Sequence, residues 1–243
     1  MKSAMIFPAR ESEKAISGYS STLTKSMREN GIDIDDFCYD AGKPSTLFNK
    51  LSELSKYDLI HVQHEYNLLG KYGLPFFFLL FYLGLFKKGK LIFTMHTVLS
   101  PKEKFSENRL RTVLRKILYY TQNKAIGLFS DKIVVHANFF KKILIDDYGI
   151  GENKIKIFPQ GVIEEVHTLS KQKAKQKFNL KGNVYLLMGS MIPDHGHDII
   201  LRQSGKIEGT ILVVANPGSV NDRNSERIKK YMLSITEAFQ KLY

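Results

Sequence analysis

The sequence predicts an α/β protein: one complete Rossmann-like domain, a parallel sheet with helices on both faces, followed by a partial second domain of the same kind. Three observations carry this. Short apolar runs recur along the chain, segments with helical periodicity separate them, and a second, shorter series begins after a polar stretch. "AMIF" is the first apolar run. After a polar loop, "SGYSSTLTKSMRENG" places Tyr19, Leu23 and Met27 at i, i+4 and i+8, with Ser17 as N-cap and Gly31 as the stop, which predicts a helix. "IDIDDFCY" forms a second strand, "TLFNKLSEL" a short helix and "YDLIHVQH" a third strand. An apolar helix, the strand "KLIFTMHT", a long helix around "ENRLRTVLRKILYYTQNKAIGLF" and the strand "DKIVVHA" come next. "ANFFKKILIDDYG" is a helix ending at Gly149, and "NKIKIFPQGV" closes the first domain.

The second series starts with an exposed helix in "TLSKQKAKQKFNL". It continues with the strands "NVYLLMGS" and "TILVVAN", separated by "DHGHDIILRQSGK", and a terminal helix in "SERIKKYMLSITEAFQKL". The boundary falls between Val162 and Thr168, giving domains 1–165 and 166–243. Ligands of open α/β sheets bind outside the carboxyl ends of the strands. That rule selects His96 after "KLIFTM", Glu65 after "LIHVQH", Asn138 after "IVVHA", Gly189 after "VYLLM", and the loop from Pro8 to Ser17. For His96 the competing reading is a histidine that merely caps its strand.

Composition narrows the partners. With 43% hydrophobic and 25% charged residues in 243, the chain is globular and not disordered. One cysteine, Cys38, rules out an intramolecular disulfide and fits a reducing, cytoplasmic setting, and "MKSAMIFPAR" does not read as a secretory signal. The excess of 36 Lys and Arg over 24 Asp and Glu, a formal +12, favours anionic partners such as nucleotide phosphates or lipid headgroups. Much of that excess lies in "RLRTVLRKIL" and "KQKAKQKF", which read as solvated helix faces. Without an RNA-recognition motif or zinc-finger spacing, nucleic acid is not an expected partner. "GLPFFFLLFYLGLF" is too short to span a bilayer. It is expected to be a buried helix; the alternative is peripheral contact with the inner face of the membrane, with Lys87, Lys88 and Lys90 at the headgroups. "HVQHE" resembles a metal cluster, but its histidines are three apart on a strand and point to opposite faces, so no metal is expected.

Taken together, these strand ends resemble glycosyltransferase family 4, whose members have the GT-B fold. "ISGYSSTLTKSMRENG" is similar to that family's first loop and helix, "YDLIHVQHEYNLLG" to its Asp-x-Ile-His-x-x strand end, and "FTMHTVLSP" to its Thr-x-His-Thr element. "SDKIVVHANFFKKILIDDYGI" and "NKIKIFPQGV" resemble the last segment and the Ile-Pro-x-Gly-Val turn before the second domain. "LLMGSMIPDHGHDIIL" follows the Gly-Arg-x-x-x-x-Lys-Gly pattern, and "TILVVANPG" the strand after it.

The resemblance implies a GT-B-like enzyme that moves a sugar from a nucleotide-sugar to a glycan or lipid-linked acceptor with retention, using no metal or other cofactor. The first domain would receive the acceptor and the second the donor. His96 would lie beside the transferring sugar, stabilising developing positive charge through its orientation. Gly18, Gly189, His195 and Gly196 would serve the donor, Gly18 by letting backbone amides approach the diphosphate, and Glu65 and Asn138 would serve the acceptor. The sequence departs from the family pattern at Ser190, where the family carries Arg, and at His195, where it carries Lys. The family's paired glutamates, eight positions apart, have no counterpart: Glu226 and Glu237 are eleven apart. The expectation is therefore a truncated donor domain. The alternative function is a non-catalytic homologue or subunit that binds glycan, lipid or a partner protein supplying the missing donor half.

Overall fold

The computed structural model describes residues 1–12, 15–66, 68–69, 73–103, 108–161, 169–190 and 196–216. The chain divides into two compact units, Met1–Val162 and Ile163–Tyr243. In the first unit, six strands form one sheet: β1 (Ser3–Pro8), β2 (Ile34–Tyr39), β3 (Leu59–His64), β4 (Lys90–Met95), β5 (Lys132–Val135) and β6 (Ile155–Ile157). Their order is β2-β1-β3-β4-β5-β6, and every pairing is parallel. From β1 the chain first steps outward to β2, then crosses back to β3, so the direction of winding reverses between β1 and β3. Such a switch point opens a crevice at the carboxyl edge.

Right-handed crossovers put α1 (Ala15–Glu29) on one face of this sheet, and α3 (Leu74–Phe86), α4 (Arg109–Phe129) and α5 (Asn138–Asp146) on the other. Alternation along β1 serves both faces: Ala4 and Ile6 join the larger core, whereas Met5 and Phe7 pack with Ile34 on the other side. The α1 side departs from the sequence reading. Leu23 and Met27 pack against that smaller cluster, but the most buried residues of α1 are Ser17, Ser20 and Thr24. Small side chains let the helix lie close to the strands. Ser20 satisfies its hydroxyl by donating to the Ile16 carbonyl at 2.6 Å. "TLFNKLSEL" becomes a single turn, α2 (Ser45–Phe48), followed by a 3-10 segment, Leu51–Lys56.

On the larger face, α3 buries Phe76, Leu79, Leu80 and Leu83, each such side chain worth about 1.5–3 kcal/mol. Its opposite face, including Phe78 and Leu85, is exposed, so the helix is neither wholly buried nor wholly free. α4 starts at Asn108, whose side chain accepts from the Arg111 N–H at 3.0 Å. Asp131 ties the segment after α3 to the sheet: its carboxylate accepts from Lys87 Nζ at 2.6 Å, Leu91 N–H at 2.9 Å and Lys90 Nζ at 3.2 Å. Burial alone would raise its pKa, but these donors hold it down at about 2.

The second unit contains α6 (Lys171–Lys177), β7 (Val184–Ser190), α7 (His197–Arg202) and β8 (Thr210–Asn216), with β7 and β8 paired in parallel. The terminal helix expected in "SERIKKYMLSITEAFQKL" lies outside the described residues.

Candidate active site

Strand register builds the site. His64 of β3 pairs with Met95 of β4, and Met95 with Val135 of β5. One step further, Glu65, His96 and His136 therefore stand side by side along the carboxyl edge. The ladder continues past the strands: the His96 N–H donates to the His64 carbonyl at 3.1 Å, and the Phe158 N–H to the Val135 carbonyl at 3.0 Å.

His96 is half-buried, and its orientation is fixed. Its Nε2–H donates to Gln63 Oε1 at 2.8 Å, while the Gln63 amide nitrogen donates to Met5 Sδ at 3.3 Å, which sets the amide's direction. This assignment leaves His96 Nδ1 with a lone pair. Tyr19 of α1 meets the imidazole edge-on, with centroids 5.1 Å apart, and the His136 ring lies 5.0 Å away. His136 donates from Nδ1 to the Phe158 carbonyl at 2.8 Å; its Nε2 is buried and has no partner among the described residues. Burial, then the neighbouring His136, depress the His96 pKa to about 4. The imidazole is thus neutral at pH 7 and accepts a hydrogen bond rather than carrying charge.

Two further histidines of β3 lie beneath this row. His61 Nε2 meets Thr94 Oγ1 at 2.7 Å, and His64 packs its ring against Phe76 (4.7 Å) and Tyr66 (5.1 Å). Burial, reinforced by any charge on His96, lowers their pKa values to about 4 and about 3. Among the described residues, no group of three or more His, Cys, Asp or Glu is placed to hold a metal.

Of the residues singled out from sequence, His96 and Glu65 share the strand-end row. Glu65 accepts from the Tyr66 N–H at 2.9 Å and lines a small cavity with His64, Gly73 and Gln122. Gly18 falls in the first turn of α1, one residue before Tyr19, and open space surrounds the position a Cβ would take. Asn138 begins α5 and is exposed. In the second unit, Gly189 is the penultimate residue of β7 at φ 135°, and Gly196 caps α7 at φ 68°, a left-handed conformation suited to glycine. His195 lies outside the described residues.

Sequence reasoning missed Gln63, His136 and Tyr19. Tyr19 was assigned to the helix's apolar period, and Gln63 to the strand interior. His136 did carry a signal: it follows "IVV" as His96 follows "FTM", each one residue beyond its strand.

The α/β fold with its parallel sheet is shared with solved GT-B glycosyltransferases. An alpha-glucosyltransferase in complex with UDP-glucose and DNA containing an abasic site superposes with a TM-score of 0.57 at 11% identity, covering 98% of this chain and 61% of that one. An alpha-glucosyltransferase with UDP and a 13-mer DNA carrying a central A:G mismatch gives 0.52 at 10% identity, covering 98% and 59%. A third, with UDP and a 13-mer DNA containing a HMU base, gives 0.53 at 11%, covering 84% and 54%. The chain thus spans little more than half the length of these structures. No curated protein sequence matches it. The sequence model of Glycosyltransferase Family 4 matches residues 19–166, more than half of the chain, and the chain belongs to that family.

Proposed function

We propose that the chain transfers a sugar from a nucleotide-sugar to a glycan or lipid-linked acceptor, with retention of anomeric configuration. The observation that carries this reading is the neutral, oriented His96, set between Tyr19 and His136 beside the open first turn of α1. Its Nδ1 lone pair is suited to accept from a hydroxyl of the bound sugar, and the His96 ring to favour the positive charge that grows as the leaving diphosphate departs. Retaining transfer of this kind needs positioning and charge stabilisation, not a protein nucleophile or a metal. Gly18 leaves room for a diphosphate at the start of α1, where helix geometry favours anions. Glu65 and Asn138 are assigned to the acceptor, and Gly189, His195 and Gly196 to the donor. The exposed, unbridged Cys38 agrees with a cytoplasmic setting.

A second reading rests on Ser190 and His195, which replace the basic pair expected to clamp the diphosphate. In that case the chain binds glycan or lipid without turnover, or works with a partner protein that supplies the donor half. Calorimetry of the chain with UDP-, GDP- and ADP-sugars separates the two. The catalytic reading requires binding of at least one donor, and heat from none of them would overturn it for this chain acting alone.

A further inference from the structure

We propose that the outward faces of α3 and α4 together form a docking surface for an anionic lipid bilayer. An ordinary surface helix turns its apolar stripe inward and its polar face to water. α4 does the reverse along much of its length. Tyr119, Gln122, Asn123 and Ile126 are its buried residues, while Leu110, Leu114, Ile117 and Leu128 are 57–72% exposed. At 3.6 residues per turn, these four exposed residues recur on a single stripe opposite the buried one, with exposed Thr121 and Lys124 on the same face between Ile117 and Leu128.

The charges are placed to match. No Asp or Glu occurs within α3 or α4. Around the helix, Arg109 and Lys116 flank the apolar stripe of α4 on one side and Arg111 on the other, with Lys88 just after α3. Long basic side chains in such flanking positions bury their stems and hold their charges at headgroup level. Lys87 and Lys90, by contrast, are engaged by Asp131.

α3 extends the same surface. Leu74, Phe78, Phe81 and Leu85 form its exposed stripe at i, i+4, i+7 and i+11. The two helices pack side by side, with the Phe81 and Phe129 rings 6.0 Å apart, and both lie on one face of the sheet, so both stripes point away from it. Beside this contact lies an open groove of about 600 Å³, whose apolar lining of Phe81, Ala125, Leu128, Phe129 and Ile150 is accompanied by Lys124 and Lys154. An exposed apolar surface of this kind marks an interaction site. Its basic rim selects a negatively charged occupant and repels a second copy of the same face. Among the described residues no helix is long and apolar enough to cross a membrane. The mode is therefore adsorption in the interfacial plane.

The inference goes beyond sugar transfer and does not depend on it. Flotation of the full chain tests it, using phosphatidylcholine vesicles with and without phosphatidylglycerol at low and high salt. Binding is expected to anionic vesicles and to weaken as salt rises. Replacing Leu114 and Ile117 together by Asp should lower the bound fraction at least about tenfold, as should Arg111→Glu with Lys116→Glu. These side chains are at the surface, so circular dichroism should show both variants folded, and donor binding by calorimetry should be unchanged. Failure to float with anionic vesicles at low salt would overturn the proposal, as would flotation undiminished by the Leu114 and Ile117 changes. Sedimentation velocity adds one more outcome against it: a dimer that those changes dissolve, without vesicle binding, would make a second copy the occupant.

Discussion

Lowering the pH from 7 to 5 should remove about 5 kcal/mol from the stability of the first unit, before any carboxylate is involved. His61, His64 and His96 titrate near 6.5 in the unfolded chain, but at about 4, 3 and 4 when folded. Between those limits the unfolded state binds more protons, so stability falls as the pH drops. At pH 5 each unfolded imidazole is almost fully protonated and each folded one almost neutral, a difference of about 2 kcal/mol per residue. Solvent at the part-exposed His96 trims the total of roughly 6 to about 5. Asp131, with its folded pKa held at about 2, contributes stability that is lost only below about 4 and does not enter this window. A domain typically has only 5–15 kcal/mol in total, so the loss should be evident in urea unfolding followed by circular dichroism at pH 7 and pH 5. His64→Leu isolates one contribution. It should alter stability at pH 7 by no more than about 1 kcal/mol, because His64 has no hydrogen bond among the described residues, and should reduce the pH 7 to 5 difference by about 2 kcal/mol. Equal stability at the two pH values, or imidazole pKa values near 6.5 by NMR, would refute the reasoning.

His96→Ala should cut any sugar transfer by at least about a hundredfold while leaving the melting temperature nearly unchanged; a large stability loss with activity retained would make the residue a strand cap. His195→Lys should tighten nucleotide-sugar binding by about tenfold in calorimetry if a cation belongs at that position. Gly89→Ala should cost about 2–3 kcal/mol in denaturant unfolding, since the added Cβ would sit 2.1 Å from the Asp58 carbonyl oxygen. Asp131→Ala should cost a similar amount by stranding Lys87 and the Leu91 N–H, whereas Asp131→Asn should recover part of it.

The sheet could be read from sequence because each strand of a two-sided parallel sheet is an apolar run of local origin. "KLIFTM" and "DKIVV" needed no distant information to be recognised. His96 was conspicuous for the same reason, as a polar residue that ends such a run. Its partners were not, because register between strands is a tertiary property. Nothing near Gln63 in the sequence indicates that it will face a histidine 33 positions later. Tyr19 fitted a helical apolar period, and its half-buried contact with His96 became visible only once serines and a threonine occupied the inner face of α1. α4 was misleading in the opposite sense. Its arginines and lysines suggested a solvated face, but periodicity cannot say which stripe of a helix meets the sheet, and the apolar one at Leu114 and Ile117 points outward.

The alignment of Glu65, His96 and His136 at the sheet edge also governs when this site can exist. Those residues come from three segments separated by 31 and 40 positions, and no local turn or helix brings them together. A nascent or partly unravelled chain therefore has no weakened version of the site; it has none until β3, β4 and β5 have docked. Any ligand that spans His96 and His136 binds only the fully assembled sheet and protects it against unfolding in proportion to its occupancy. Slower proteolysis in the presence of such a ligand would report on the sheet as a whole.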